Sequence, residues 1–229
     1  MNLGSGATTD GTAGGGGAII INVVGTTTIN GSIIVDGKSV SGASGSGGSG
    51  GSVFLNTSLL IGNGTISANG GVATYDRGTG GGSRIAIILT NGTTFGNLTI
   101  NSHGWGVGSA SNGAAGTIYL KKSNQIFGDL IIDNKGALTY SDVTTFIWQN
   151  ITNTIIGSLH LINSSRLNVS NAPLTIYGDF NNTKGNFTAD TNSTIIFAGN
   201  GLSNTTLYSN ETFFNLNITK AKEYVFFPG

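Results

Sequence analysis

Gly31-Ser-Ile-Ile-Val-Asp36 is the first of five similar hexapeptides in this chain of 229 residues. The other four begin at Gly64, Gly96, Gly128 and Gly157, so successive copies start 33, 32, 32 and 29 residues apart. Within each copy, aliphatic residues alternate with mostly polar ones, which is the pattern of a strand with one buried face. A strand that recurs at such regular spacing is typical of stacked-repeat architectures.

A second strand is predicted upstream of each hexapeptide, at 18–22, 52–56, 84–88, 117–121 and 145–149. In the last of these strands the pattern predicts Phe146 and Trp148 as the inward-facing pair. Burying four aliphatic side chains gives about 6–12 kcal/mol, and ordering some twenty residues costs at least as much. Because one repeat cannot fold alone, we predict an all-β fold, a single-stranded right-handed parallel β-helix of stacked coils.

Glycine-rich connectors separate the repeats, over 38–51, 71–83, 102–116 and, in a shorter form, 135–143. Connectors of this length usually have structure of their own. Glycine also permits close backbone approaches that a Cβ atom would prevent. Since the connectors recur at the same point of each repeat, we expect them to stack at one corner as an ordered layer.

Composition changes near residue 137. Thirty-three of the 39 glycines lie at or before Gly136, and afterwards Asn, Thr and Phe dominate while the alternation continues. We therefore predict glycine-rich coils over 1–136 and continuing Asn- and Thr-rich β-solenoid coils over 137–229. Neither end has the polar cap that a solenoid needs, which indicates a segment truncated at both ends.

The charge balance excludes several classes of partner. The chain has ten basic and ten acidic residues and no basic run, which argues against nucleic acid. No apolar run approaches the roughly 18 residues of a membrane helix, so no membrane span is predicted in this segment. The absence of cysteine excludes disulfides and thiolate metal sites, and the first residues do not have the pattern of a signal peptide.

Asp or Asn closes four of the five hexapeptides, at Asp36, Asn69, Asn101 and Asp133. Such a column could supply oxygen ligands to calcium, but its two carboxylates are separated by two whole coils and cannot share one ion. Asn and Asp also cap bends through local hydrogen bonds. We therefore predict a structural turn ladder and no metal site.

No group of residues has the spacing of a catalytic site. Asp129 and Asp133 are four residues apart on one strand, too far for the carboxyl pair of a glycosidase. His103 and His160 occupy different repeat positions and lack a third metal ligand, and no Gly-x-Ser-x-Gly elbow is present. We predict that the protein is not an enzyme and that it uses no cofactor.

Asn-x-Ser/Thr sequons are more frequent than the Ser and Thr content predicts. They involve fourteen of the 26 asparagines, nine of them after residue 137. This pattern predicts N-glycosylation and a location outside the cell. The candidate acceptors are Asn30, Asn56, Asn63, Asn91, Asn97, Asn150, Asn163, Asn168, Asn181, Asn186, Asn192, Asn204, Asn210 and Asn217.

Several stretches resemble known surface proteins. Gly-Gly-Ser-Val-Phe-Leu at 50–55, Gly-Asn-Gly-Thr-Ile-Ser-Ala-Asn-Gly-Gly at 62–71 and Gly-Gly-Gly-Ser-Arg-Ile-Ala-Ile at 80–87 resemble the glycine-rich parallel β-helix repeats of bacterial and archaeal adhesin-like surface proteins. Ile-Tyr-Gly-Asp-Phe at 176–180 and Phe-Phe-Asn-Leu-Asn-Ile-Thr at 213–219 are similar to the strand repeats that follow them. The resemblance implies an extracellular, non-catalytic scaffold, and the sequon density favours an archaeal source.

The predicted function is therefore that of a structural or adhesive cell-surface protein whose coils form a rigid stalk. Its partners would be copies of itself or surface glycans. One alternative is a self-assembling extracellular filament subunit with coils that stack end to end. Another is a carbohydrate-binding or polysaccharide-cleaving β-helix in which Tyr75, Trp105 and Tyr119 stack on sugar rings.

Overall fold

The all-β prediction is confirmed. The computed structural model describes residues 4, 6, 13–41, 45–73, 78–105, 112–151, 153–199, 201 and 204–227, which form nineteen strands and no helix. In chain order the strands are β1 (Ala18–Thr28), β2 (Ser32–Ile34), β3 (Ser52–Ile61), β4 (Thr65–Ser67), β5 (Arg84–Leu89), β6 (Thr99–Asn101), β7 (Thr117–Lys121), β8 (Asp129–Asp133), β9 (Thr145–Trp148), β10 (Ile155–Ile156), β11 (Leu159–Ile162), β12 (Arg166–Ser170), β13 (Pro173–Ile176), β14 (Phe180–Thr183), β15 (Asn186–Ala189), β16 (Thr194–Ala198), β17 (Thr205–Thr206), β18 (Asn215–Thr219) and β19 (Val225–Phe226).

The first four repeats stack in parallel and in register. Strands β1, β3, β5 and β7 are neighbours in a seven-stranded sheet, in which Val53 lies opposite Ile19 and Ile85. Strands β2, β4 and β6, from the first three hexapeptides, form a second sheet with Ile66 opposite Ile33 and Ile100. In the first sheet the predicted strands align as expected, so like residues stack on like. In the second sheet β6 is displaced by two residues from the hexapeptide alignment, which would have placed Leu98 opposite Ile66. The inward aliphatic side chains of both sheets form a continuous core.

The pairing direction changes between β7 and β8, which are antiparallel, with Tyr119 opposite Leu130. The turn between them is held by the Gly128 N–H, which donates to Tyr119 Oη at 2.8 Å. Strands β8, β11 and β14 then continue the same sheet in parallel. The fourth and fifth hexapeptides therefore lie in the seven-stranded sheet and do not extend the column of the first three.

The strands after Gly136 form a second stack, whose repeat is shorter than that of the first stack (β1 to β7). Ile195 lies opposite both Leu174 and Leu216, 21 residues away on either side. The period falls because the long glycine connectors are missing after Gly136. Edge-to-face phenylalanine contacts fill this core, with ring centroids 5.0–6.4 Å apart. They involve Phe180, Phe187, Phe197 and Phe213.

The predicted orientation of β9 is wrong. Ile147 is buried at 6% exposure, whereas Phe146 and Trp148 are 39% and 52% exposed. The reason is that β9 pairs with β12, where Ile147 lies opposite the buried Val169, and does not extend the column of β7. Since side chains alternate between faces, a change of partner and register turns both aromatic rings outward.

Candidate functional site

The glycine-rich connectors form an ordered layer across the first stack. We call 35–40, 68–73 and 101–105 the outgoing segments, and 13–17, 45–51, 78–83 and 112–116 the returning segments; together they make the glycine layer. Each segment bonds to its equivalent in the next repeat. The Gly37 N–H donates to Asn69 O at 2.9 Å, and the Gly47 N–H donates to Gly78 O at 3.0 Å. The layer therefore ties successive repeats together along the stacking direction.

Within one repeat, the returning segment bonds to the outgoing segment with a period of three residues. The Gly48 N–H donates to Lys38 O at 3.1 Å and the Gly51 N–H to Val35 O at 2.7 Å. In the next repeat the Gly80 N–H donates to Gly71 O at 2.9 Å and the Ser83 N–H to Ala68 O at 3.0 Å. A spacing of three residues between donors is the period of a polyproline II helix and differs from the two-residue period of a pleated strand.

A three-residue turn lets one segment bond to neighbours on several sides. The returning segment 45–51 contacts four others: 35–40 and 78–83 as above, 13–17 through the Gly16 N–H and Ser49 O at 2.9 Å, and 68–73 through the Gly71 N–H and Gly48 O at 2.8 Å. The glycine layer is thus a bundle of segments. Its backbone groups hydrogen-bond to one another, whereas those of a surface loop would hydrogen-bond to water.

The absence of side chains is what allows this bundle to close. An ideal Cβ on Gly80 would lie 1.8 Å from Gly48 O, and one on Gly51 would lie 1.8 Å from Gly17 O. These contacts are between main-chain atoms, so no rotamer change could relieve them. Glycine is required here for close approach between segments.

The four residues of the predicted turn ladder do not lie in one column. Asp36 Oδ1 accepts hydrogen bonds from Ser67 Oγ at 2.5 Å and from the Asn69 N–H at 2.6 Å. Asn69 Oδ1 in turn accepts from the His103 N–H at 3.0 Å. Asn101 lies elsewhere, opposite Ser67 in the second sheet. Side chains at the ends of β2 and β4 therefore cap the backbone of the following repeat.

The fourth predicted member, Asp133, contacts a different set of residues. Its carboxylate lies 3.3 Å from Lys135 Nζ and accepts from Asn163 Nδ2 at 3.1 Å. The neighbouring Asn134 makes the cap instead, since its Oδ1 accepts from the Gly104 N–H at 2.9 Å. Sequence reasoning missed Asn134 because the hexapeptide alignment placed Asp133 at the end of the motif.

The titratable side chains take part in structural contacts. His103 Nδ1 lies 2.9 Å from Gly104 O, and His160 sits within the seven-stranded sheet opposite Ile131 and Asn181. Asp129 Oδ1 accepts from the Ser158 N–H at 2.8 Å. Among the described residues, no three His, Asp or Glu side chains come together as metal ligands. Of the predicted sugar-stacking residues, Trp105 is exposed, Tyr119 packs in the β7–β8 turn, and Tyr75 lies outside the described residues.

Most sequons are accessible. Asn56, Asn168 and Asn181 are half-buried, and the other eleven of the fourteen are exposed. The Oδ1 atoms of Asn56 and Asn168 are also buried without a hydrogen-bond partner among the described residues. The exposed acceptors are Asn30, Asn63, Asn91, Asn97, Asn150, Asn163, Asn186, Asn192, Asn204, Asn210 and Asn217.

A cleft of about 850 Å³ lies between the glycine layer and residues 144–148, 151 and 153–156. One side consists of 49–50, 81–83 and 114–116 of the returning segments with the first residues of β5 and β7, and the other side consists of β9, β10 and residues 151, 153 and 154. Thr145 Oγ1 donates to Ala115 O at 2.6 Å and joins the two sides. The volume is within the range of about 300–1,000 Å³ that is usual for small-molecule sites.

The cleft has one aromatic wall and a floor with few side chains. Phe146 and Trp148 are in a T-shaped contact with ring centroids 5.2 Å apart, next to the exposed Ile151 and Ile155. The opposite surface includes Gly50, Gly81, Gly82 and Gly116. Among the described residues that line the cleft, Arg84 is the single charged one and none is acidic. Sequence reasoning missed this site because it assigned Phe146 and Trp148 to the core.

No protein-family model, no curated protein and no solved structure matches the chain. Across the part of the chain that the structure describes, no helix has the length and apolarity needed to cross a membrane.

Proposed function

We propose that this protein is a non-catalytic structural and adhesive component of the cell exterior, in which a parallel β-helix forms a rigid stalk. The observation that carries the proposal is the glycine layer. Its backbone hydrogen bonds join each repeat to the next, in addition to the hydrogen bonds of the two sheets. Stacked coils alone would bend at their connectors. A bundle of bonded connectors resists that bending, and long-range rigidity is the property that a stalk requires.

Hydrogen exchange on the intact chain tests the rigidity of the layer. The amides of the returning segments 45–51 and 78–83 donate to other segments, so we expect their protection to be similar to that of β3 and β5. Exchange at the rate of an unstructured peptide would contradict the proposal. Immunogold labelling of unpermeabilised cells from the source organism tests the location, and exclusively internal labelling would exclude the cell exterior.

A second candidate function, assembly into a filament, is favoured by the edge of β1. This strand has eleven residues without charge or proline, and within the described residues it pairs only with β3. Val24, near its middle, is 99% exposed. A long apolar edge is a template for pairing with another chain, so a second copy could add its own strand there.

Sedimentation and electron microscopy of the purified chain test this assembly. Ile20→Lys places a charge on the free strand and should abolish concentration-dependent fibres or oligomers. Leu138→Lys changes an exposed leucine away from β1 and is the matched control. A chain that stays monomeric at high concentration, or fibres that persist in Ile20→Lys, would exclude assembly through β1.

A further inference from the structure

We propose that the cleft between the glycine layer and β9 binds an extended glycan that contains uronic acid residues. Trp148 and Phe146 would stack on the sugar rings, and Arg84 would pair with a uronate carboxylate. This site is independent of the stalk proposal, because a rigid scaffold needs no ligand and a ligand site needs no stalk.

The aromatic wall is the first argument. Phe146 and Trp148 point away from the core of the second stack and, with Ile151 and Ile155, form a contiguous apolar surface inside a concave site. A contiguous exposed apolar patch usually marks a contact surface. The two rings also brace each other edge to face. Aromatic faces of this kind suit the C–H face of a pyranose ring.

The opposite surface supplies polar groups without bulk. Its glycines carry no side chains, so a ligand can approach the backbone closely. Hydroxyl and amide side chains surround that surface and can bond to sugar hydroxyls. Those lining the cleft include Ser83, Thr117, Thr144, Asn153 and Thr154.

The backbone of the cleft is only partly available to a ligand. On the side of the glycine layer three donors are already used: the Gly50 N–H bonds to Gly81 O, the Gly82 N–H to Ala114 O, and the Gly116 N–H to Ser102 O. On the other side β9 and β10 are edge strands of their sheets among the described residues, and an extended peptide usually binds by adding its main chain to such an edge. An acidic peptide is therefore the competing ligand in the test below, and the aromatic wall favours the glycan.

Arg84 determines the charge of the ligand. It is exposed, it is the single charged residue of the lining, and no salt bridge involves it among the described residues. A guanidinium group matches a carboxylate through two parallel hydrogen bonds. A glycan with periodic carboxylates satisfies both the aromatic wall and this cation, whereas a neutral glycan satisfies the wall alone.

Titration calorimetry with the intact chain tests the proposal. The probes are tetrasaccharides of galacturonate, glucuronate-containing and mannuronate type, the carboxyl-reduced neutral form of each, and a glutamate-rich peptide. We expect at least one uronate tetrasaccharide to bind, and Trp148→Ala to weaken it tenfold or more. Arg84→Gln should weaken the acidic form about tenfold and leave the neutral form unchanged.

Matched variants separate binding from folding. Tyr208→Ala removes an exposed aromatic ring outside the cleft and should leave affinity unchanged. Trp148→Phe keeps an aromatic face and should retain part of the affinity if the indole acts by stacking. Circular dichroism verifies that each variant is folded. The proposal is overturned if no uronate tetrasaccharide binds at millimolar concentration, if Trp148→Ala binds normally, or if only the acidic peptide binds.

Discussion

Replacing Gly80 by alanine tests whether the glycine layer is held by close backbone contact. The added Cβ would lie 1.8 Å from Gly48 O and 2.8 Å from Gly71 N, and both neighbours are main-chain atoms. A normal carbon–oxygen contact needs about 3.4 Å or more, so the segments would have to separate by roughly 1.5 Å. Gly80→Ala should therefore open the layer between 78–83 and its two neighbours.

The expected magnitude follows from the hydrogen bonds that this separation would break. The Gly80 N–H bonds to Gly71 O at 2.9 Å, and the Gly71 N–H bonds to Gly48 O at 2.8 Å. Breaking each of these two buried hydrogen bonds costs about 1–3 kcal/mol, which is about 2–6 kcal/mol for both. Alanine offsets about 0.4–1 kcal/mol of that loss by restricting the unfolded chain. We expect Gly80→Ala to lower the free energy of unfolding by about 2–5 kcal/mol.

Gly78→Ala is the matched control, two residues away in the same returning segment. No atom lies within 4 Å of an ideal Cβ there, and its φ is outside the left-handed region. The same substitution should be neutral or stabilising by about 0.4–1 kcal/mol. Urea denaturation followed by circular dichroism measures both variants, and hydrogen exchange at 45–51 shows whether the layer opens locally. If the two variants agree within about 0.5 kcal/mol, the layer is not closely packed at Gly80.

Three other results are expected. Asn69→Ala should lower the free energy of unfolding by about 1–3 kcal/mol, because it leaves the His103 N–H of the next repeat unpaired. Urea denaturation measures this, and an equal loss in Asn101→Ala would contradict it. Burial lowers the pKa of Lys220, so the unfolded chain holds this proton more tightly and stability should rise with pH between the lowered value and 10.5. The increment should be small because the charges of Glu223 and Asp179 oppose the effect of burial, and Lys220→Met should remove it. In native material, glycopeptide mass spectrometry should find glycan on the exposed Asn217 and none on Asn168, whose Oδ1 is buried. A glycan on Asn168 would show that exposure in this structure does not determine which sequons are glycosylated.

The strands of the first stack were predictable because alternation there is unambiguous. In β3 and β5 the inward residues are aliphatic and the repeat is constant, so both the strand and its register follow from the sequence. The hexapeptide at Gly128 has the same local pattern but a different partner. Its antiparallel pairing with β7 depends on a short turn and on the Tyr119 Oη contact. Periodicity identifies a strand but does not predict which neighbour it pairs with or in which direction.

The cleft could not be predicted for a related reason. Thr145-Phe-Ile-Trp148 has three consecutive large apolar residues, so alternation alone does not decide which of them face inward. The choice is made by β12, whose buried Val169 lies opposite Ile147. The assumption that the larger aromatic rings lie in the core predicts the wrong buried face for β9. Aromatic residues in an apolar run are therefore poor evidence for the core until the neighbouring strand is known.

The glycine layer and the cleft share the returning segments, and this explains why glycine is concentrated there. On one side a missing Cβ lets Gly80 meet the backbone of the previous repeat. On the other side Gly81 and Gly82 line the cleft. An ideal Cβ on Gly81 would be 3.4 Å from the nearest atom, Ala114 O, so packing within the layer does not require glycine at this position. Close approach between segments accounts for Gly80 and also for Gly82, whose Cβ would lie 2.3 Å from Ser102 O, whereas the proposed ligand site would account for Gly81.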